Sequence, residues 1–280
     1  MNRMQMQEGN AMHAPSSSRR AEWERDGFFV VRGMLSESEV SSVLDEVIGR
    51  IRAEPPSAHK GERSYFAGPN YHIFPETAPS PTAVNAEDQI SRVFNCHAEG
   101  LCRAIAERAS IVTEVVSILG PDVDCFQSQF IFKNPGVIGQ PWHQDSHYFQ
   151  FDLQPQVGVW IALSRATEEN GCLWVLPGSH REPIHEHVPD HRPEANAGYL
   201  EIVDHDFSAA VPVLMDPGDV LFFHSYLMHK SSDNITDYRR AALVLHYGRA
   251  GTKPISPTIA AGLADVNRWV PVARASRAAS

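Results

Sequence analysis

No Cys-x-x-Cys pair occurs among the four cysteines, Cys96, Cys102, Cys125 and Cys172. That removes the usual zinc-ribbon and redox spacings and offers no disulfide framework. No apolar run approaches the ~18 residues that a membrane-spanning helix needs. The opening "MNRMQMQEGNAMHAPSSSRR" lacks the apolar stretch of a secretion signal, and the closing "ARASRAAS" is not a peroxisomal address. A cytoplasmic location with reduced thiols is expected. Positive charge is scarce as well: 24 Lys+Arg stand against 34 Asp+Glu, a formal net charge of −10. Such a chain repels phosphate backbones, which argues against a nucleic-acid partner. A local arginine can still hold a small anion against that global field. Internal repeats and linker-like stretches are also missing. The expectation is therefore a polar tail over residues 1–17 followed by one domain, 18–280, with no membrane partner.

What is present is ordinary for a soluble globular chain: 42 % hydrophobic and 21 % charged residues among 280. Segment "RRAEWERDGFFVVRGML" reads as a short helix, a stop at Gly27 and a strand from Phe28 to Val31. Ser36 and Glu39 in "SESE" form a capping-box pattern. After it Val40, Val43, Leu44, Val47, Ile48 and Ile51 recur at helical spacing, which gives one buried stripe. Residues 54–82 carry Pro, Gly, His and aromatics without periodicity and read as a long loop. Helical pattern returns in "EGLCRAIAERA" and in "SIVTEVVSILG", which ends on Gly120. From Val123 the grain becomes β: "DCFQSQFIF", "QVGVWIAL", "CLWVL", "VPVLM", "DVLFF" and "AALVLHY", separated mostly by Pro/Gly/Asn turns. Short strands without intervening helices predict an antiparallel sandwich or barrel, with the helical N-terminal part packed on it.

The stretch "PWHQDSHYFQF" carries the chemistry. On a strand, His143 and Asp145 point to one face. Alone, H-x-D says little. A third ligand from another strand is available in "FFHSYLMHKSS", at His229 or His224. Two histidines and one carboxylate on one face leave three positions open on an octahedral Fe(II). Those positions take a bidentate co-substrate and O2. Arg240 opens the apolar strand "RAALVLHY", and its planar guanidinium suits a carboxylate. 2-Oxoglutarate has the matching shape.

"HQDSHYFQF", "VGVWIALSRATEENGCLWVLPGSH" and "DPGDVLFFHSYLMHKSSDNITDYRR" resemble the phytanoyl-CoA dioxygenase family of Fe(II)/2-oxoglutarate oxygenases. The likeness runs over about residues 20–250 and is sharpest from Gln127 to Tyr247. It implies a double-stranded β-helix (jelly roll, cupin-like), mainly β with packed N-terminal helices and a core over about 123–250. It implies His143, Asp145 and His229 as iron ligands and Arg240 on the distal carboxylate of 2-oxoglutarate, with Ser231 as its hydroxyl helper. Trp160, Gln127, Gln129 and Arg92 match positions that surround the co-substrate. Related halogenases lack the carboxylate ligand; Asp145 is present, so hydroxylation of an unactivated C–H in a small molecule is the expected reaction. Desaturation, cyclisation and a non-catalytic binding module are the alternatives.

Other features have plainer readings. His147 reads as a structural neighbour of the ligands, and His224 as a packing residue. The cluster His180, His185, His187 and His191 reads as a polar loop, Arg239 as solvated and Cys172 as core. Tyr65, Phe66, Tyr71 and Phe74 either line a lid or pack their own loop. Phe149, Phe151 and Trp174 read as core or pocket wall.

Overall fold

A computed structural model describes residues 17–77, 79, 83–192 and 199–275. The expected tail lies outside the described residues except for Ser17, which starts the first helix. That helix, α1 (Ser17–Asp26), stops at Gly27, whose φ of 83° suits glycine alone. A Cβ there would also sit 2.5 Å from the His180 imidazole. The chain continues into β1 (Phe28–Val31) and α2 (Glu37–Ala53). Ser36 caps α2: its hydroxyl accepts from the Glu39 N–H at 3.3 Å, and the Glu39 carboxylate accepts from the Ser36 N–H at 2.8 Å. Val40, Val43, Val47 and Ile51 are buried along one stripe, with Leu44 and Ile48 partly buried beside them.

Residues 54–82 depart from the expected loop. They contain β2 (Tyr65–Ala67) and β3 (Tyr71–Pro75), followed by β4 (Ile90–Phe94). The alternation is hidden because both faces of β3 are covered: Tyr71 and Ile73 enter the core, and His72 is also buried, 3.1 Å from the Asp265 carbonyl oxygen. The aromatics mostly pack. Tyr65 and Tyr71 join the core, while Phe66 and Phe74 lie 4.2 and 4.5 Å from the His72 ring.

Helices α3 (Gly100–Ala106) and α4 (Ala109–Leu119) precede β5 (Val123–Lys133). A one-turn helix α5 (Asp145–Phe149) follows, then β6 (Val157–Ala162), β7 (Leu173–Val175), β8 (Val188–Pro189) and β9 (Leu200–Glu201). The chain ends with β10 (Val211–Val213), β11 (Val220–His224), β12 (His229–Ser231), β13 (Arg240–Arg249), α6 (Pro257–Leu263) and β14 (Val270–Ala273).

Two antiparallel sheets form a double-stranded β-helix. The major sheet runs β1-β11-β6-β13-β5-β4-β3-β2, with β14 also pairing β5; the minor sheet runs β10-β7-β12. The barrel strands thus extend past 250, since β14 returns to β5. Strand β13 shows how the layers are made. Ala241, Leu243, Leu245 and Tyr247 join the helix-side core with Val47, Ile51, Ile111 and Val115. Ala242 and Val244 face the space between the sheets, packed with Trp160, Phe223, Val175 and Leu227. Side chains alternate along a strand, so Arg240 and His246 share that inner face. No helix among the described residues is long and apolar enough to cross a membrane. All four cysteines are buried and unbridged.

Helix α2 covers the sheet through fully buried side chains. Ile51→Ala is expected to cost about 3 kcal/mol through lost burial and a residual cavity. Urea unfolding measures it; a loss under about 1 kcal/mol would show that α2 does not anchor this core.

Candidate metal centre and its adjoining cavity

Backbone pairing brings the two histidines together. The His143 N–H donates to the His229 carbonyl at 2.9 Å, and the His229 N–H donates back to the His143 carbonyl at 3.0 Å. That reciprocal pair sets the imidazoles side by side, with ring centroids 4.1 Å apart. The approach depends on Gly139, because a Cβ there would lie 1.8 Å from the Ser231 carbonyl oxygen. His143 sits on an isolated bridge rather than on the expected strand. Asp145 opens α5. One extended residue between them, Gln144 at φ −119° and ψ 128°, is enough to give the i, i+2 convergence.

Hydrogen bonding fixes which nitrogen each ring presents. His143 Nδ1 lies 2.8 Å from the Pro141 carbonyl oxygen, and His229 Nδ1 lies 2.9 Å from that of Leu227. A carbonyl only accepts, so each Nδ1 carries the hydrogen, and Nε2 is the atom whose lone pair a neutral ring would turn inward. Those Nε2 atoms lie 3.6 and 3.7 Å from Asp145 Oδ1. All three side chains are buried. Asp145 Oδ2 has no hydrogen-bond partner, and neither does His246 Nδ1, 3.7 Å away. Lone pairs converging on a buried carboxylate are costly unless a cation lies among them. The donor set, two imidazole nitrogens and one carboxylate, fits a divalent iron with open positions.

Burial pushes the Asp145 carboxyl up, but attraction to the His229 and His143 rings in their protonated form outweighs it and holds the carboxyl below its ordinary value. Burial pushes His229 down to about 4. At neutral pH the site is therefore an ionised carboxylate facing a neutral His229, the protonation state a divalent cation requires.

Arg240 is 1 % exposed at the start of β13. Its Nε and Nη2 donate to the Gly171 carbonyl at 3.1 and 2.8 Å, while the buried Nη1 has no partner. The guanidinium lies over Trp160, 5.3 Å from the ring centroid. A cavity of about 50 Å³ is lined by Arg92, Lys133, Trp160, Tyr199, Ser231 and Arg240 together with apolar groups. Lys133 is a second buried cation here, and no carboxylate lines the cavity among the described residues. Burial, reinforced by the Arg240 charge, lowers the Lys133 ammonium. An anionic guest would satisfy both groups.

The expected helpers are placed differently from one another. Ser231 does not bond Arg240. Its hydroxyl accepts from Lys133 Nζ at 2.9 Å and from the Gln140 N–H at 3.0 Å, which leaves its own hydrogen to donate. Trp160 and Arg92 line the cavity, and Arg92 Nη2 lies 2.8 Å from the Tyr199 hydroxyl. Gln127 and Gln129 do not line it; Gln129 donates to Gln127 at 3.1 Å, and Gln127 donates to Asn267 at 2.8 Å. His224 packs on Trp23 and His180, away from the three convergent residues. His147 stacks on His187 at 4.0 Å. Arg239 bonds Asn134 at 2.8 Å and pairs with Asp88, so it is not simply solvated. The sequence reading missed Lys133 and His246. Alternation was the available signal: Lys133 shares a face with Gln127 and Gln129, and His246 shares one with Arg240.

The family model for phytanoyl-CoA dioxygenase (PhyH) matches residues 23–242. Peroxisomal phytanoyl-CoA dioxygenase of Rattus norvegicus is 31 % identical over 252 residues, covering 86 % of this chain and 70 % of that protein. Among solved structures, the non-heme monooxygenase ThoJ in its apo form superposes with a TM-score of 0.66 at 25 % identity, covering 91 % of this chain and 84 % of its own. EctD from S. alaskensis, solved with 2-oxoglutarate and 5-hydroxyectoine, superposes with a TM-score of 0.60 at 27 % identity, covering 86 % of this chain and 78 % of that one.

Buried neutral imidazoles make the metal-free protein acid-sensitive. Burial holds His97, His187 and His229 near 4 and His224 near 3. In the unfolded chain the same rings titrate near ~6.5, so between about pH 6.5 and 4 the unfolded state binds more protons. Stability is full above that window and falls as pH drops through it. Urea midpoints of the metal-free protein should decline from neutral pH to about pH 4.5; a constant midpoint would contradict neutral, buried rings.

Proposed function

The chain belongs to the phytanoyl-CoA dioxygenase family of iron(II)/2-oxoglutarate oxygenases, and we propose that it hydroxylates an unactivated C–H bond of a small organic molecule, releasing succinate and CO2. One observation carries this reading: two imidazole nitrogens face a buried carboxylate, and the strand that carries His229 also sends Ser231 to a cavity lined by the buried Lys133 and Arg240 and by no carboxylate among the described residues. His143, Asp145 and His229 would hold Fe(II). Arg240 and Lys133 hold the distal carboxylate of 2-oxoglutarate, with the free Ser231 hydroxyl hydrogen as a further donor. Trp160 and Arg92 wall the cavity, with Gln129 and Gln127 behind Arg92. Bound together, iron, 2-oxoglutarate and O2 supply the oxidation.

The chain's own residues bind, orient and keep water out. Phe223, 5.0 Å from the His229 ring, and Trp160 make the inner wall apolar. No side-chain general base is required. With iron bound, the Asp145 carboxylate would be a ligand where related halogenases have none, which favours hydroxylation over halogenation. The chain from 18 to 280 is read as one domain, supported by the return of β14 to β5. A cytoplasmic location goes with the buried, unbridged thiols.

The experiment is substrate-stimulated succinate release from a panel of small molecules with Fe(II) and 2-oxoglutarate, followed by product analysis. A product with one added oxygen supports hydroxylation; a desaturated or cyclised product overturns it. His143→Ala or Asp145→Ala should abolish coupled turnover. Arg240→Ala should weaken 2-oxoglutarate binding by about 2–5 kcal/mol. Unchanged affinity would remove Arg240 from this role. Lys133→Met tests the second cation: a loss of 2-oxoglutarate affinity of tenfold or more (about 1.4 kcal/mol) is expected, and none would assign the carboxylate to Arg240 alone.

A further inference from the structure

Glu182, His185 and His205 form a separate cluster at the end of the domain where Gln144 is anchored. Glu182 Oε2 lies 3.0 Å from His185 Nε2 and 3.0 Å from His205 Nε2. The other ring nitrogen of His205, Nδ1, lies 3.0 Å from the Asp206 carbonyl oxygen. That oxygen only accepts, so Nδ1 carries the hydrogen. A neutral His205 then presents the Nε2 lone pair to a carboxylate oxygen. The contact is repulsive unless the ring takes a second proton or a cation sits between them. His143 and His229 are built the same way, each with Nδ1 tied to a backbone carbonyl and Nε2 turned to a carboxylate. This is the arrangement that orients metal-binding histidines.

The donor spacing also suits a small divalent ion. Tetrahedral zinc with bonds of about 2.0–2.2 Å needs donor atoms about 3.3 Å apart; the two contacts to Glu182 Oε2, 3.0 Å each, are within a few tenths of an ångström of that, and all three donors lie within 4.8 Å of one another. Two histidines and a glutamate are an established zinc set that leaves one position for water. The three side chains are 39 %, 26 % and 18 % exposed in chain order, so water reaches that position.

We propose that Glu182, His185 and His205 form a second divalent-cation site, of zinc type, that clips the 182–187 segment to the 205–206 segment. The clip would act next to the catalytic metal centre. Gln144 donates through its side-chain amide to the Pro183 carbonyl at 3.1 Å, and its amide oxygen accepts from the His185 N–H at 2.8 Å. The Gln144 backbone N–H donates to His187 Nε2 at 3.0 Å. Gln144 lies between His143 and Asp145, so a fixed 182–187 segment braces that pair from behind. The proposal uses none of the residues assigned to the catalytic ion.

The test counts zinc per chain in iron-free protein after dialysis against low-micromolar Zn²⁺. His205→Ala and Glu182→Gln should each bind one ion fewer than the unaltered chain. Asp145→Ala should keep the ion that the double variant Asp145→Ala/His205→Ala loses. In Co²⁺-loaded Asp145→Ala, the visible bands of four-coordinate cobalt should disappear on adding His205→Ala. An unchanged zinc count in both His205→Ala and Glu182→Gln overturns the site and leaves a protonated His205 paired with Glu182. Metal-free melting curves accompany the counts; Glu182→Gln, which keeps size and an acceptor, decides the matter where His205→Ala melts early.

Discussion

Two backbone hydrogen bonds between His143 and His229 hold the centre together. Each residue donates its N–H to the other's carbonyl, and each ring is locked by its own Nδ1 to a carbonyl two residues earlier. Nothing then remains for the Nε2 atoms except to face Asp145. The arrangement is electrostatically incomplete, which is why it reads as a metal centre and not as a satisfied polar core. The surrounding structure maintains it: Gly139 permits the close approach, and Gln144 spans the gap to α5 with an extended backbone.

Strand β13 links that centre to stability. One face carries Ala241, Leu243, Leu245 and Tyr247 into the helix-side core. The opposite face carries Arg240 to the cavity and His246 to within 3.7 Å of Asp145. A slip of one residue in its register would exchange the two sets, moving a guanidinium into the core and leucines into the site. The helices α2 and α4 that pack on the outer face therefore protect the site's register as well as the fold. Lys133 enters from the neighbouring strand β5, which pairs with β13 at Arg240↔Lys133. Two cations arrive at one cavity because their strands are adjacent and in register.

Much of this was legible in the sequence. Capping residues Ser36 and Glu39, the α2 stripe and the β-rich grain from Val123 follow local rules that tertiary packing did not override. His143, Asp145, His229 and Arg240 could be named because their spacing matches a family pattern; the structure brings the first three within reach of one another and puts Arg240 on a buried cavity. The element that carries Asp145 was not legible. A strand and one extended residue before a helical turn produce the same i, i+2 convergence. Strands β2 and β3 were hidden because both faces of β3 are covered, which erases the alternation that marks a strand. Ser231 was assigned to Arg240 by analogy, yet its hydroxyl accepts from Lys133, a residue whose importance depends on pairing across β5 and β13. The cluster at Glu182, His185 and His205 joins residues from two loops, and the histidine-rich run, which reads as a polar loop, contains only one of its two histidines.

The central claim is that three side chains share one ferrous ion. Anomalous scattering at the iron edge from anaerobic crystals loaded with stoichiometric Fe(II) measures it directly. The account predicts a single dominant peak about 2.0–2.2 Å from His143 Nε2, His229 Nε2 and an Asp145 oxygen. Iron density confined to another cluster, with those three atoms unligated, would contradict it.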